Sequence, residues 1–400
     1  MILRRGLAAS RSLPFAAACG NADLGRLGLV TSQASVPLLS RLTLSLPTDA
    51  GVASAAAGGV HSLLLLDDGR VYQCGVDDGD GGATTLPRHV ASLPPNVVSV
   101  SAGAYHSAAV TACGELWTWG RNERGQLGVA TPGGAPGPPA RVPHLSGVAA
   151  ASCGLHHTLA VGAAGEAWAF GSRDLCGLGA EPWAARLGAA GASPPRLIRG
   201  LRGATAVSVS AGHSHSLVLD SLGFVHVFGQ NTFYQLGNGS DRPVLTPVRL
   251  EDVPPLACVA AGGAHSLAAG RDGAAWAWGA NQSGCLGVGN SGGARVPSPV
   301  VDADKPGGNE ASSSAGGGGF GFVAVSAGWK HSAGLTGGGR LWAWGWGGSQ
   351  GEGRFSSGGQ LGLGDEVDYW VPQRVGMAGV KAVSCGWNHT LVVCAGGYDA

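Results

Sequence analysis

The feature that most constrains this chain is a short segment, Gly-x-x-His followed by Ser or Thr, which occurs seven times. The segments recur about every 55 residues, a spacing typical of repeat architectures. A unit of this size is one supersecondary module, which buries its apolar surface only by packing against neighbouring modules. The seven repeat histidines are His61, His106, His157, His215, His265, His331 and His389.

Spacing inside each unit is stricter than spacing between units. A glycine lies 14 residues after each of the first six histidines, at positions 75, 120, 171, 229, 279 and 345. A Leu-Gly pair then follows at 127–128, 178–179, 236–237, 286–287 and, after an insertion, 361–362. This pattern indicates rigid modules joined by loops of variable length.

Each module has the composition of short β-strands. In the second unit, "VVSVSAG", "HSAAVTA" and "ELWTWG" are mostly apolar runs bounded by glycine. They predict three or four antiparallel strands per unit. Alternate residues of a strand share a face, so the pairs Trp117/Trp119, Trp276/Trp278 and Trp342/Trp344 are expected to pack in the core.

The two ends of the chain complement each other. The seventh unit stops soon after His389, and the piece that it lacks is found at residues 19–28, "CGNADLGRLG". We therefore expect the N-terminal strand to complete the C-terminal sheet, which hides two exposed sheet edges. The predicted fold is all-β: a seven-bladed β-propeller over residues 15–400, closed by pairing of the N- and C-terminal strands.

Segments outside the repeat pattern give further expectations. Residues 1–14 contain three arginines and no acidic residue, and are either a basic tail or a short presequence. The compartment is accordingly cytoplasm or nucleus, or the mitochondrion if residues 1–14 act as a presequence. Three insertions, 180–193, 303–321 and 346–358, interrupt the units, and the Gly/Ser-rich segment 303–321 is expected to be flexible.

Composition argues against several classes of partner. Only 12% of the 400 residues are charged, the formal net charge is zero, and there are three lysines. This balance predicts no direct nucleic-acid binding. No run approaches 18 uninterrupted apolar residues, so no membrane span is expected. The nine cysteines include no C-x-x-C pair and are interpreted as mostly buried thiols of a reducing compartment.

The repeat histidines are expected to be structural. They occur one per blade, too far apart to converge on a zinc ion, which needs three or four close ligands. Hydrogen bonding within the fold is the preferred interpretation. We predict no catalytic residue, no metal and no cofactor.

Candidate partner-binding residues lie just before the repeat histidines. These positions begin a strand in every unit and should recur on one rim of the ring, where exposed aromatic residues are typical interface anchors. The alternative is that they pack against neighbouring loops. The candidates are Tyr105, His156, His213, Trp329, Lys330, Trp387 and Asn388.

Taken together, the motifs resemble those of the regulator of chromosome condensation repeat family. The resemblance rests on Gly-x-x-His-Ser/Thr, the strand ending in Trp-Gly, and Asn-x-x-Gly-x-Leu-Gly, and it covers about residues 15–400. It implies a seven-bladed ring with four strands per blade. Family members serve as exchange factors for small GTPases, as an ultraviolet-B receptor and as adaptors.

The resemblance does not choose among these functions, because one fold hosts many. We expect a non-enzymatic interaction scaffold with a protein partner; the alternative is nucleotide exchange on a small GTPase. A third function, ultraviolet-B reception, is suggested by "GWKHS" and "GWNHT" at 328–332 and 386–390. There Lys330 and Asn388 replace the receptor's arginines, and Gly263 occupies the preceding blade, so that cluster is incomplete.

Overall fold

The described residues form seven antiparallel sheets of four strands each, and each sheet is one blade. This computed structural model describes residues 13–42, 50–77, 82–178, 194–201, 203–302, 319–348 and 358–396. The predicted all-β seven-bladed propeller is therefore confirmed, with four strands in every blade.

The strand bounds follow the repeats. The N-terminal strands are β1 (Phe15–Asn21) and β2 (Ser35–Arg41). Blade one has β3 (Val52–Ala57), β4 (His61–Leu66), β5 (Val71–Asp77) and β6 (Gly82–His89). Blade two has β7 (Val97–Ala102), β8 (His106–Thr111), β9 (Leu116–Gly120) and β10 (Gly137–Arg141). Blade three has β11 (Val148–Cys153), β12 (His157–Gly162), β13 (Ala167–Gly171) and β14 (Arg196–Leu197).

The same pattern continues to the C-terminus. Blade four has β15 (Ala206–Ala211), β16 (His215–Asp220), β17 (Val225–Gly229) and β18 (Val244–Arg249). Blade five has β19 (Leu256–Ala261), β20 (His265–Gly270), β21 (Ala275–Gly279) and β22 (Ala294–Pro299). Blade six has β23 (Phe322–Ala327), β24 (His331–Thr336), β25 (Leu341–Gly345) and β26 (Tyr369–Arg374). The last two strands are β27 (Val380–Cys385) and β28 (His389–Cys394). Short 3-10 turns lie at Asp23–Gly25, Pro132–Gly134 and Arg173–Leu175.

Blade seven joins the two ends of the chain. Its strand order is β2-β1-β28-β27, so the N-terminus supplies two of its four strands. β1 pairs antiparallel with β28 from Phe15 opposite Cys394 to Gly20 opposite His389. The predicted closure by pairing of the terminal strands is confirmed.

The hydrophobic core lies between blades. The second strand of every blade is buried along its whole length because it is covered on both faces. One cluster joins Leu63 and Val71 of blade one to Val97 and Trp119 of blade two. The predicted packing of the Trp-x-Trp pairs is also seen, since the second tryptophan of each pair is at most 2% exposed and the first is half-buried on the same cluster.

Several sequence features lie wholly or partly outside the described residues. The features outside the described ranges are residues 1–12 of the basic terminus, the insertion 180–193, and most of the insertions 303–321 and 346–358. All nine cysteines lie within the described ranges and are free thiols, of which Cys113 is exposed and Cys258 half-buried. Within those ranges, no helix has the length and hydrophobicity needed to cross a bilayer.

Candidate functional site

The seven Gly-x-x-His turns come together at one end of the ring. Each turn joins the first strand of a blade to the second, and its backbone bonds to the next blade. Seven N–H groups donate to seven glycine carbonyls at 3.0–3.3 Å, ending with Trp387 N to Gly58 O, which closes the circle. We call this end of the molecule the tryptophan face, after Trp329 and Trp387.

Glycine is needed where the turns touch. A Cβ atom on Gly58 would lie 2.5 Å from the carbonyl oxygen of Gly103 and 2.9 Å from Cε1 of His61. The same near approach recurs at the first glycine of each of the seven turns. The glycine of the motif therefore allows neighbouring blades to meet around the axis.

A second circle runs through the repeat histidines. Each histidine Nε2 lies 2.8–3.0 Å from the hydroxyl oxygen of the Ser or Thr that follows the histidine of the next blade. The last bond joins His389 to Ser62 and links the final repeat to the first. The expectation that these histidines make structural hydrogen bonds is confirmed.

The hydroxyl groups determine the histidine tautomer. Ser62, Thr158, Ser216, Ser266, Ser332 and Thr390 each donate their single proton to a backbone carbonyl at 2.6–2.8 Å. A hydroxyl that donates there accepts the histidine proton, so Nε2 of the facing ring carries the hydrogen. Burial lowers the pKa of His106, His157, His215 and His331 to about 3, which keeps these rings neutral at pH 7.

Aromatic side chains from four blades meet at the mouth of the central channel. The indole of Trp387 lies edge-on to Tyr105, with ring centroids 5.3 Å apart. Its other neighbours are Trp329 at 6.0 Å and His213 at 6.3 Å. Trp387, Trp329 and His213 also line the channel. The sequence placed these residues along a rim, whereas the fold brings them together at the axis.

Two cations flank the aromatic cluster. The Arg121 guanidinium lies over the Tyr105 ring at 4.0 Å. The Lys330 ammonium is 5.1 Å from the Trp329 ring and 5.7 Å from the Trp346 ring. At such distances a cation is attracted to the negative face of the ring.

The candidate residues differ in how much of their surface is exposed to a partner. Trp329 is 40% exposed, and Tyr105, His156, His213, Lys330 and Trp387 are half-buried. Asn388 is 7% exposed, so its side chain is part of the interior. Burial lowers the pKa of His156 and of His213.

Sequence reasoning missed Arg121 and Trp346, although a signal was present. Each residue directly follows the glycine that ends the third strand, and that glycine pairs with the repeat histidine. The backbone N–H of the following residue therefore donates to a carbonyl of the Gly-x-x-His turn. These hydrogen bonds run from Arg121 N to Tyr105 O and from Trp346 N to Lys330 O. The residue after each of these glycines belongs to the tryptophan face.

The described residues contain no group of three or more His, Cys, Asp or Glu side chains placed to hold a metal ion. What the structure defines is a closed seven-bladed ring whose motif side chains bond blade to blade and whose axis is capped by aromatic residues. Residues 15–392 match the family model described as the RCC1-like domain. The chain belongs to the RCC1-like family.

Named relatives share the repeats at moderate identity. The ultraviolet-B receptor UVR8 of Arabidopsis thaliana is 30% identical over 77% of this chain and 65% of its own length. The mitochondrial RCC1 domain-containing protein RUG3 of the same plant is 31% identical over 67% of this chain and 62% of its own. The human E3 ubiquitin-protein ligase HERC2 is 33% identical over 71% of this chain. The chain thus spans less than two thirds of these relatives, and only 6% of HERC2.

Solved structures agree on the fold. Human WBSCR16 superposes with a TM-score of 0.77 at 23% identity, covering 96% of this chain and all of that one. Prp20p of Saccharomyces cerevisiae superposes with a TM-score of 0.78 at 21% identity, covering 97% and 94%. Likeness at this identity supports the architecture alone.

Proposed function

We propose that this chain is a non-enzymatic protein-interaction scaffold that binds its partner through the tryptophan face. The observation that carries the proposal is Trp329, an indole 40% exposed that contacts Trp387 and lies beside the Lys330 cation. Tryptophan, tyrosine and arginine dominate the binding energy of protein interfaces. Arg121 on Tyr105 adds a second such pair on the same face.

The use of the motif side chains supports a scaffold over an enzyme. The repeat histidines would be the first candidates for acid–base chemistry. His157 is an example: burial lowers its pKa to about 3, and it is bonded to the Ser216 hydroxyl, which itself donates to the Leu175 carbonyl. A general base needs a free lone pair within reach of a substrate. Here the lone pair of His157 Nδ1 is buried without contact to solvent.

Affinity purification with two variants of the tryptophan face and one control variant tests the scaffold proposal. Trp329→Ala and Trp387→Ala should lose the partner, each by about 2 kcal/mol or more if it is an interface anchor. Val98→Ala is the control, because Val98 is 56% exposed near the start of β7, at the end of the ring opposite the tryptophan face. Retention of the same partners by all three variants would remove the tryptophan face from the proposal.

Nucleotide exchange on a small GTPase is the second candidate. Its support is the similar fold of Prp20p, a protein that binds Gsp1p and histones. If it holds, adding the purified chain should accelerate nucleotide release from a GTPase of the same compartment. A flat release rate across a panel of GTPases would exclude it and leave the scaffold untouched.

Ultraviolet-B reception is the third candidate, and the Trp329–Trp387 contact is the observation in its favour. It requires a dimer that dissociates on illumination at these tryptophans. Gel filtration before and after ultraviolet-B exposure tests it, with Trp329→Phe as the control variant. An unchanged elution volume would exclude it.

A mitochondrial address for residues 1–14 is proposed alongside these functions, supported by their arginines and by the mitochondrial relative RUG3. A fluorescent fusion of the whole chain should then colocalise with mitochondria, and the same fusion without residues 1–14 should not. An identical distribution of the two fusions would contradict the presequence.

A further inference from the structure

The third strands of the blades differ at one core position. Three residues before the glycine that ends the third strand, blades two, three, five and six carry tryptophan and blade one carries tyrosine. Blade four carries His226 there, and blade seven carries Ala17. The tryptophans at this position are Trp117, Trp168, Trp276 and Trp342.

The sister tryptophans cover the junction between blades. Trp117, half-buried, packs on the cluster that contains Leu93, a residue of the connection between blades one and two. In blade four the corresponding connection supplies Leu201, Gly203 and Ala204. There the smaller imidazole leaves the junction open.

The imidazole is held in place by a buried carboxylate. His226 Nε2 lies 3.0 Å from Asp220 Oδ2, and both residues are only 4% exposed. The other oxygen of Asp220 accepts the N–H groups of Leu222 and Phe224 at 3.0 and 2.9 Å, which fixes the carboxylate in place. These hydrogen bonds fix the imidazole, which is smaller than an indole, in its observed position.

A cleft of about 430 Å³ results. One wall is formed by Leu201 and Ala204, the other by Pro247 and Val248, and His226 lies between them. This volume lies within the usual range for small-ligand pockets. Charged side chains, those of Asp220, Arg249 and Glu251, also line the cleft. In four sister blades the chain's own indole lies at the position of His226.

The cleft also has a cation suited to an aromatic guest. The Arg249 guanidinium stacks on the Phe224 ring at 4.4 Å, and it is held there by Glu251 through hydrogen bonds of 3.1 and 2.6 Å. Arg249 pairs directly across the sheet with His226. A second ring entering between these walls would meet a positioned guanidinium, which favours an electron-rich aromatic ring.

We propose that this cleft is a binding site for an indole ring, carried either by a small molecule or by the tryptophan side chain of a peptide. The fold itself identifies the guest, because four sister blades hold an indole at the equivalent position. A cavity left by a missing apolar group binds a molecule of that group's shape. The site lies near the end of the ring opposite the tryptophan face and is independent of it.

Nuclear magnetic resonance titration of the full chain with indole and with N-acetyl-tryptophanamide tests the site. At least one of the two probes should bind with a dissociation constant on the order of a millimolar or tighter, as expected for ligands of this size. Tighter binding of the amide assigns the guest to a polypeptide, and binding of indole alone assigns it to a small molecule. Absence of binding by either probe overturns the proposal.

Two variants place the bound probe. His226→Trp restores the residue of the sister blades, and it should lower affinity at least about tenfold because the new side chain occupies the cleft. Val248→Arg, at a position 41% exposed on the outer strand, narrows the cleft without touching the core and should lower affinity as well. Phe233→Ala, at an exposed aromatic residue of a distant loop, is the control and should bind as the parent does.

The variants also protect the test from a folding failure. If His226→Trp does not fold, Val248→Arg still decides the result. Affinity equal to the parent in the folded variants shows that the probe binds elsewhere, and the proposal is then wrong.

Discussion

At the scale of single residues, the repeat motif is a set of contacts between blades. Ser and Thr interchange after the repeat histidine because only the hydroxyl is used: it accepts from the histidine of the preceding blade and donates to a carbonyl. Glycine does not interchange, since a Cβ would strike the next turn. The two rules explain which letters of the motif vary.

Removing one of these hydroxyl groups should therefore lower the free energy of unfolding more than the small size of the group suggests. Ser216→Ala leaves both the His157 Nε2 donor and the Leu175 carbonyl without partners in a buried site. We expect a loss of about 1–3 kcal/mol in the free energy of unfolding, measured by urea denaturation. Ser216→Thr is the matched control and should lie within about 1 kcal/mol of the parent. Equal stability of the Ala and Thr variants would contradict the bridging role.

The Trp-x-Trp pairs allow the effect of burial on stability to be compared for two residues of the same type. Trp119 is 2% exposed and its indole N–H donates to Gln73 Oε1 at 2.7 Å, whereas Trp117 on the same strand is half-buried. Trp119→Ala should lower the free energy of unfolding by about 3–5 kcal/mol. Trp117→Ala should cost less, because less surface is removed from the core. Thermal or chemical denaturation checks the order, and a larger loss at Trp117 would reverse it.

At the scale of strands and blades, the two terminal segments share one sheet. β1 lies between β2 and β28, so it carries hydrogen bonds on both edges. Without it, β28 would present an open edge of buried apolar residues, including Leu391 and Val393. An exposed edge of this kind is a template for aggregation.

Deletion of β1 tests this closure. A chain that begins at residue 13 keeps every described strand and should melt at the parent temperature. A chain that begins at Ser35 lacks β1, and we expect it to aggregate or to melt at least about 10 °C lower. Circular dichroism and gel filtration measure both. A monomeric chain of parent stability without β1 would be incompatible with the closure.

At the scale of the whole molecule, the buried histidines make stability depend on pH. Burial lowers the pKa of four of them to about 3 and that of His265 to about 4, compared with about 6.5 in an unfolded chain. Between these values the unfolded chain binds protons that the folded chain does not. The stabilisation is therefore complete above about pH 6.5 and is lost as the pH falls toward 3.

Denaturation at several pH values measures this loss. Each of these histidines contributes up to about 1.4 kcal/mol per pH unit below pH 6.5, so unfolding midpoints in urea should fall steeply from pH 7 to pH 5. Replacing His265 with glutamine should reduce the slope of that dependence. Midpoints that stay constant or rise on acidification would mean that the histidines are charged in the folded protein.

The sequence alone determined the number of blades, the closure of the ring and the structural role of the histidines. It did so because a strict spacing inside each unit records strand length and turn position, and because the piece missing after His389 is present at residues 19–28. The repeats also support one another, since an element predicted in one unit is expected at the same spacing in the other units.

Only the tertiary structure decided which candidate residues meet. Tyr105, His213, Trp329 and Trp387 come from different blades, and their convergence depends on the diameter of the ring, which no local pattern encodes. Asn388 shows the converse: it occupies the same motif position as Lys330, yet its side chain is buried. Local spacing specifies the backbone of each blade, while side-chain exposure and contact across the axis follow from how seven blades close.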